Sequence, residues 1–383
     1  MEAHLITVLP EIVKRGVPVT VLTESMEGQP EESEVQGIKV WRRDELSVSK
    51  LEGLPDIYRK AKLLFSDFMN KHKIDVIQAH NLQMDYFDLS RALLDVCQER
   101  GIPCYLLIHN HEFIDRDPKV MISILADLPW DKLVPISVFI ESKLHRLIPR
   151  IPREKWKVIL HGIDLDAFHP LEAQAKERVK AQYGFGSRRI ILHPARILQW
   201  KGIIPAIKAM PEIIRTIPRA LLVLTGRIKP IFKDEAEIRD YNLLVDKTVS
   251  ELKIEDQVHI GEYSFSDLPN LTALSDVVIY TTIGEEPFGL CPVEAMASRV
   301  PTVVTRSGGL VESVVDGQTG YIIDKDEALI PGQLADRVIN ILSDPALAAQ
   351  MGAAGRRLAE RRFDKMRMAQ ELVELSARLL EAV

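Results

Sequence analysis

Short β-branched runs alternate with longer stretches of helical periodicity along this chain, and that alternation restricts the fold to stacked βα units with parallel sheets. In the first half, strands are expected at Val17–Thr23, Val35–Trp41, Asp75–His80, Cys104–His109 and Leu133–Ile136, with amphipathic stretches such as Pro55–His72 and Tyr86–Arg100 between them. Trp156–Leu160 leads into a Gly/Asp/Pro-rich junction, His161–Pro170. A second series follows at Ile190–His193, Ala220–Thr225, Val258–Ile260, Val277–Tyr280, Thr302–Thr305 and Gly320–Ile323. From Leu334 onward the sequence is helical and rich in Ala, Leu and Arg, while the acidic stretch Glu27–Glu34 reads as a solvated loop. The 383 residues suit two domains at about 150 residues each. Two open α/β domains with a cleft between them are therefore expected, with ligands at the carboxyl ends of the strands.

Composition removes several function classes. A net charge of −6 argues against nucleic acid as a partner, because phosphate backbones select basic surfaces. Cys97, Cys104 and Cys291 give neither a disulfide framework nor metal-ligand spacing, which fits a reducing cytoplasm. No run approaches the ~20 apolar residues of a membrane span. Glu2 and Glu11 stand where a secretory leader carries basic residues.

The strongest chemical signal is the string from Gly284 to Ala297, Gly-Glu-Glu-Pro-Phe-Gly-Leu-Cys-Pro-Val-Glu-Ala-Met-Ala. It places Glu286 in a loop just ahead of a helix, where the amides of Phe288, Gly289 and Leu290 have no helical acceptors and are available to hydroxyls or an anion. Glu294 falls about two turns further on, roughly on the same face. Two isolated glutamates are more often a helix N-terminal charge and a surface residue; the complete string reverses that preference. A hydrolytic pair is disfavoured, since eight helical residues rise about 12 Å and glycosidase carboxyls stand about 5 to 9.5 Å apart.

The second signal is Pro194–Gly202, directly after a strand: Arg196 as a bidentate fork and Lys201 as a point charge suit a diphosphate, or else are two surface charges. Gly308 and Gly309, in Ser307–Glu312, offer backbone N–H groups to phosphate or sugar, or simply form a tight βα turn. His80 and His109 close strands in the first half. His109 is preferred over His80 because its strand is the more apolar, and over His111 because that residue faces the other way. A lone histidine is more often structural. No His/Cys cluster has ligand spacing, so no metal is expected.

On these residues the chain resembles a family 4, or "group 1", retaining glycosyltransferase of GT-B fold. Glu286 to Glu294 is similar to the family signature, and Arg196/Lys201 to its Gly-Arg-x(4)-Lys-Gly element. Leu160–Asp164 resembles its interdomain turn, and Gly308–Glu312 its Gly-Gly-x-x-Glu loop. The resemblance implies two Rossmann-like domains with parallel sheets facing across a cleft. Residues 1–163 would bind the acceptor and 164–367 the nucleotide-sugar donor, with the helix 368–383 packing back on the first domain. It implies that Glu294 bonds the ribose, that Glu286 and the amides of Phe288, Gly289 and Leu290 hold the donor sugar, and that Arg196 and Lys201 neutralise the departing diphosphate. His109 would touch the sugar from the other domain. The reaction would retain anomeric configuration, with no metal or further cofactor; a UDP-, GDP- or ADP-sugar donor is left open. The acceptor would be a sugar, a lipid-linked species or a small molecule. A nucleotide-sugar epimerase and a donor-binding but inactive subunit remain alternatives.

Two departures from the family pattern stand out. Arg299 replaces a small residue after Ala-Met-Ala-x. The chain also opens with Met1-Glu2-Ala3-His4, where the family has a strand and a Gly-Gly loop. A helix over residues 1–15 is expected directly, and the polypeptide is expected to start roughly 15–25 residues further upstream. Residues 132–160 carry seven cations against Glu141 and Glu154. They form a solvated helix face or a weak contact with anionic lipid at the inner face of the cytoplasmic membrane.

Overall fold

The structure, a computed structural model, describes residues 2–46, 56–84, 87–111, 118–226 and 235–382. The expected starts Pro55, Tyr86 and Met1 lie outside them. Two compact units are present: Met1–Gly162 together with Lys365–Val383, and Ile163–Asp364.

Among the described residues the second unit carries one six-stranded sheet. Its strands are β7 (Arg189–His193), β8 (Ala220–Leu224), β9 (Val258–Ile260), β10 (Val277–Tyr280), β11 (Thr302–Thr305) and β12 (Gly320–Ile323). The order is β12-β11-β10-β7-β8-β9 and every pairing is parallel. Helices flank both faces, so the strands read as unbroken apolar runs. Alternation then divides them between two cores. Ile190, Leu192, Leu221, Val223 and Val278 pack on one side with Leu271, Leu274 and Ala295. Ile191, Leu222, Leu224, Val277, Ile279 and Val303 pack on the other against Ile203, Ile207, Met210 and Leu334. Chain order reverses between β7 and β10, whose register aligns Val277 with Ile191 and Val278 with Leu192. The loops leaving their carboxyl ends border the crevice where doubly wound sheets take ligands.

The first unit departs from a single parallel sheet. Among the described residues it holds two three-stranded sheets. One is β1 (Thr20–Glu24), β3 (Ile38–Arg43) and β2 (Glu32–Val35), in the order β1-β3-β2. The other is β4 (Ile77–His80), β5 (Cys104–Ile108) and β6 (Lys132–Pro135). β2 runs antiparallel to β3, and its Glu32–Glu34 fall in the stretch expected to be loop. It is mostly exposed and is held by ion pairs from Lys71 to Glu32 and from Arg43 to the neighbouring Glu31, the latter at 2.7 Å. Trp156–Leu160 forms no strand of its own but runs beside β6, bridging Trp156 to Leu133 and donating from the Lys157 and Ile159 amides to the Leu133 and Pro135 carbonyls at 3.0 and 3.1 Å. β5 is fully buried.

The helix Lys365–Glu381 closes this unit by packing on the helix Glu2–Lys14. Glu11, 3% exposed, takes Lys14 at 2.8 Å and Lys365 at 3.5 Å. Arg15 donates to the Met366 carbonyl at 3.0 Å. No helix among the described residues is long and apolar enough to cross a membrane.

Candidate active site

Three loops leave the carboxyl ends of β7, β10 and β11, and each carries one of the sequence signals. They interlock through backbone contacts too close for side chains. Gly202 has φ +69°, and a Cβ there would lie 1.8 Å from the Thr281 carbonyl oxygen. Gly308 has φ +49°, and its Cβ would lie 2.1 Å from the Glu286 carbonyl oxygen. These glycines are demanded twice, by the left-handed backbone and by the approach. The Gly309 N–H donates to the Glu286 carbonyl at 2.8 Å, and the Glu286 N–H donates to Ser307 Oγ at 3.2 Å. The expectation of two free glycine amides is corrected at Gly309: its amide holds the Glu286 loop, and the Gly308 amide alone is unengaged among the described residues.

This scaffold brings Lys201 to Glu286 across 85 residues of sequence. Lys201 Nζ lies 2.7 Å from Glu286 Oε2 and also donates to the Tyr280 hydroxyl. The phenol in turn donates to the same carboxylate oxygen at 3.0 Å. The ammonium sits 3.8 Å from the Trp200 ring centroid. Lys201 and Tyr280 are buried. Burial and the Glu286 carboxylate push the Tyr280 phenol well above its ordinary range, so it remains a neutral donor. Tyr280 was not among the residues singled out from sequence; its place as the last residue of β10 was the available signal.

Arg196 contrasts with Lys201. It is exposed and makes no hydrogen bond or ion pair among the described residues, so one of the two expected cations is paired internally and the other is open. The helix Leu290–Ala297 begins just after Gly289, and the Gly289 and Leu290 amides are unengaged among the described residues. The Phe288 ring is buried edge-on against Phe363 at 5.7 Å. Glu294 makes no side-chain hydrogen bond among the described residues, and burial raises its carboxyl to about 7. One turn earlier Cys291 donates to the Pro194 carbonyl at 3.3 Å, and burial raises its thiol well above the usual value.

In the first unit His80 and His109 do not stand alone. His80 Nδ1 lies 3.0 Å from His109 Nε2, and His109 Nδ1 lies 3.3 Å from His161 Nε2. Both ring nitrogens of His109 are therefore engaged. His161 had been quoted only as part of the interdomain turn. His111 is buried edge-on against Phe139 at 4.9 Å. Among the cations of 132–160, Arg150 pairs with Asp127 at 2.7 Å and Arg153 with Glu141 at 3.4 Å. Lys155 donates to the Trp130 carbonyl at 2.6 Å. The stretch is less open electrostatically than its composition suggests.

Comparison with known proteins places this geometry. Residues 175–358 match the family described as Glycosyl transferases group 1, and residues 1–167 match Glycosyltransferase Family 4. Spore coat protein SA of Bacillus subtilis is 30% identical over 251 residues, 64% of each chain. The GDP-mannose-dependent alpha-(1-6)-phosphatidylinositol monomannoside mannosyltransferase of Mycolicibacterium smegmatis is 30% identical over 205 residues, 52% of this chain and 50% of that protein. The matches thus span about half to just under two thirds of these relatives. The structure of Anabaena HepE in complex with UDP-glucose superposes with a TM-score of 0.72 at 19% identity, covering 94% of this chain and all of that one. With one family match on each of its two α/β units and a GT-B fold, the chain belongs to the group 1, family 4, glycosyltransferases.

Proposed function

We propose that the protein transfers a sugar from a nucleotide-sugar donor to an acceptor hydroxyl with retention of configuration. The bond from the anomeric carbon to the diphosphate oxygen breaks, the bond from that carbon to the acceptor oxygen forms on the same face, and the acceptor proton passes to the leaving phosphate. Charge grows on the diphosphate in the transition state, so fixed cations there lower the barrier. The observation that carries the reading is the switch-point cluster: an open Arg196, a buried Lys201–Glu286 pair and unengaged amides at Gly289 and Leu290. In this reading Arg196 and Lys201 hold the diphosphate, Glu286 and the amides from Phe288 to Leu290 hold the sugar, and Glu294 takes the ribose hydroxyls. The Gly308 amide contributes as a donor, and Gly309 acts through its hold on Glu286. His109 gives up its long link to His161 for an oxygen of the ligand.

A screen of UDP-, GDP- and ADP-sugars, read as nucleoside diphosphate release together with a new glycosidic product, tests the proposal. Nucleotide binding without turnover of any donor would favour a binding subunit instead. Arg196→Ala is expected to lower turnover about a hundredfold by loss of leaving-group stabilisation; wild-type turnover removes the assignment. Because side chains supply the cations, turnover is expected to survive EDTA. The proposal sets the activity in the cytoplasm. Peripheral contact of residues 132–160 with anionic lipid is checked by cosedimentation at low salt, where equal sedimentation with neutral and anionic vesicles excludes it.

A further inference from the structure

The histidine pair of the first unit is the middle of a longer chain. Tyr105 lies 2.5 Å from Gln78 Oε1, Gln78 Nε2 lies 2.8 Å from His80 Nε2, and the links His80–His109 and His109–His161 continue it. Tyr105, His109 and His161 are buried, and the His80 and His109 rings are stacked at 5.3 Å. Burial lowers His80 to about 4 and His161 to about 3, so both are neutral near pH 7.

A neutral imidazole has one N–H and one lone pair. Rings joined Nδ1-to-Nε2 have two consistent settings when each is neutral: every ring protonated at Nδ1, or every ring protonated at Nε2. The Gln78 end favours one of them. A 2.5 Å contact belongs to O–H···O geometry and is too short for N–H···O, so the Gln78 carbonyl faces Tyr105 and accepts its proton. Burial keeps that phenol protonated. Ser376 does not compete as donor, since its hydroxyl proton goes to the Leu372 carbonyl at 2.9 Å. The Gln78 amide must then donate to His80 Nε2, which puts the His80 proton on Nδ1.

We propose that Tyr105, Gln78 and His80 are positioning residues that hold His109 in its Nδ1–H tautomer, so that His109 presents a hydrogen-bond donor to its ligand. The inference rests on the reading of His109 as a ligand contact. It deepens that reading by naming the chemistry recognised at Nδ1: an oxygen acceptor, hydroxyl or phosphoryl. A group that can only donate is refused.

The test uses the full chain labelled with ¹⁵N-histidine, with His109 assigned by loss of its signals in His109→Gln. One amide hydrogen bond favours its tautomer by about fivefold. The wild type is therefore expected to show Nδ1–H over Nε2–H at His109 by at least about that ratio. Tyr105→Phe frees the Gln78 amide to rotate, and Gln78→Leu cuts the chain; each is expected to bring the ratio toward one and to lower kcat by a similar factor. Either variant suffices if the other does not fold. A wild-type His109 mainly protonated at Nε2 overturns the proposal, as does an unchanged ratio in a folded variant. Full turnover in His109→Gln would instead sink the ligand-contact reading, while the tautomer coupling is still read in the spectra.

Discussion

Lys201 and Glu286 are both nearly buried and neutralise each other, whereas Arg196 is exposed and makes no ion pair among the described residues. Alanine substitutions at the two cations should therefore behave differently. Lys201→Ala strands a buried carboxylate and is expected to destabilise the second unit by about 3–5 kcal/mol. Arg196→Ala should leave thermal stability within about 0.5 kcal/mol of wild type. Thermal melts beside kinetics separate the two losses, and Glu286→Gln in the Lys201→Ala background should restore part of the stability. Glu294 gives a pH test. Its folded value of about 7 lies above the ordinary glutamate value of 4.5, so the folded state holds its proton longer than the unfolded chain does. The stability from that proton is full below 4.5 and is lost as pH rises through 7. Glu294→Gln is thus expected to raise the melting temperature at pH 8 and to change it little at pH 4. The same variant should weaken nucleoside diphosphate binding. If ribose hydroxyls donate to Glu294, binding near pH 6 should release most of a proton, visible in calorimetry as a dependence on buffer ionisation enthalpy. Buffer-independent heats would remove the ribose contact.

At the scale of elements, the loops after β7, β10 and β11 form one structure because glycine lets backbones meet. Gly308→Ala places a methyl 2.1 Å from the Glu286 carbonyl oxygen. It is expected to displace the Glu286 loop and to lower turnover well beyond the cost of the left-handed backbone, about 1–2 kcal/mol. Gly317→Ala, at φ +71° with nothing within 4 Å, should show that backbone cost alone; denaturation midpoints and kcat of the pair check this. Legibility also varied by element. β5, β7, β8, β10 and β11 are buried runs of β-branched and aliphatic residues, and burial on both faces writes itself into local composition. β2 is Glu-Ser-Glu-Val on an exposed edge. It is a strand because β3 pairs with it and Lys71 and Arg43 hold Glu32 and Glu31, and nothing within its own four residues says so.

For the whole molecule, the two units differ in how well their sheets are covered. The strands β8, β10 and β11 are buried at every position, and β7 at all but its first. β1 is half-buried or exposed throughout, and β4 has a single buried residue. Each is an edge strand among the described residues, with backbone groups on one side that no strand partners. Edge and end elements open at lower free energy than core strands. Hydrogen exchange is expected to be fastest in β1 and β4, and heating to give two transitions with the first unit melting first. A nucleoside diphosphate should raise only the upper transition, since binding stabilises the body that holds the ligand; an increase confined to the lower one would move the donor site to the first unit. The sequence by itself determined the alternation of strands and helices, the strand positions of the second unit, and the three signals at strand carboxyl ends. These depend on periodicity and turn chemistry spanning about ten residues. Only the tertiary structure decided that Lys201 meets Glu286 and Tyr280, and that His80, His109 and His161 join in one chain. It also decided that the first unit divides its strands between two sheets. The contacting residues are 85, 29 and 52 positions apart for Lys201–Glu286, His80–His109 and His109–His161. Their meeting depends on strand order and on the closeness that glycine permits, which no local pattern specifies.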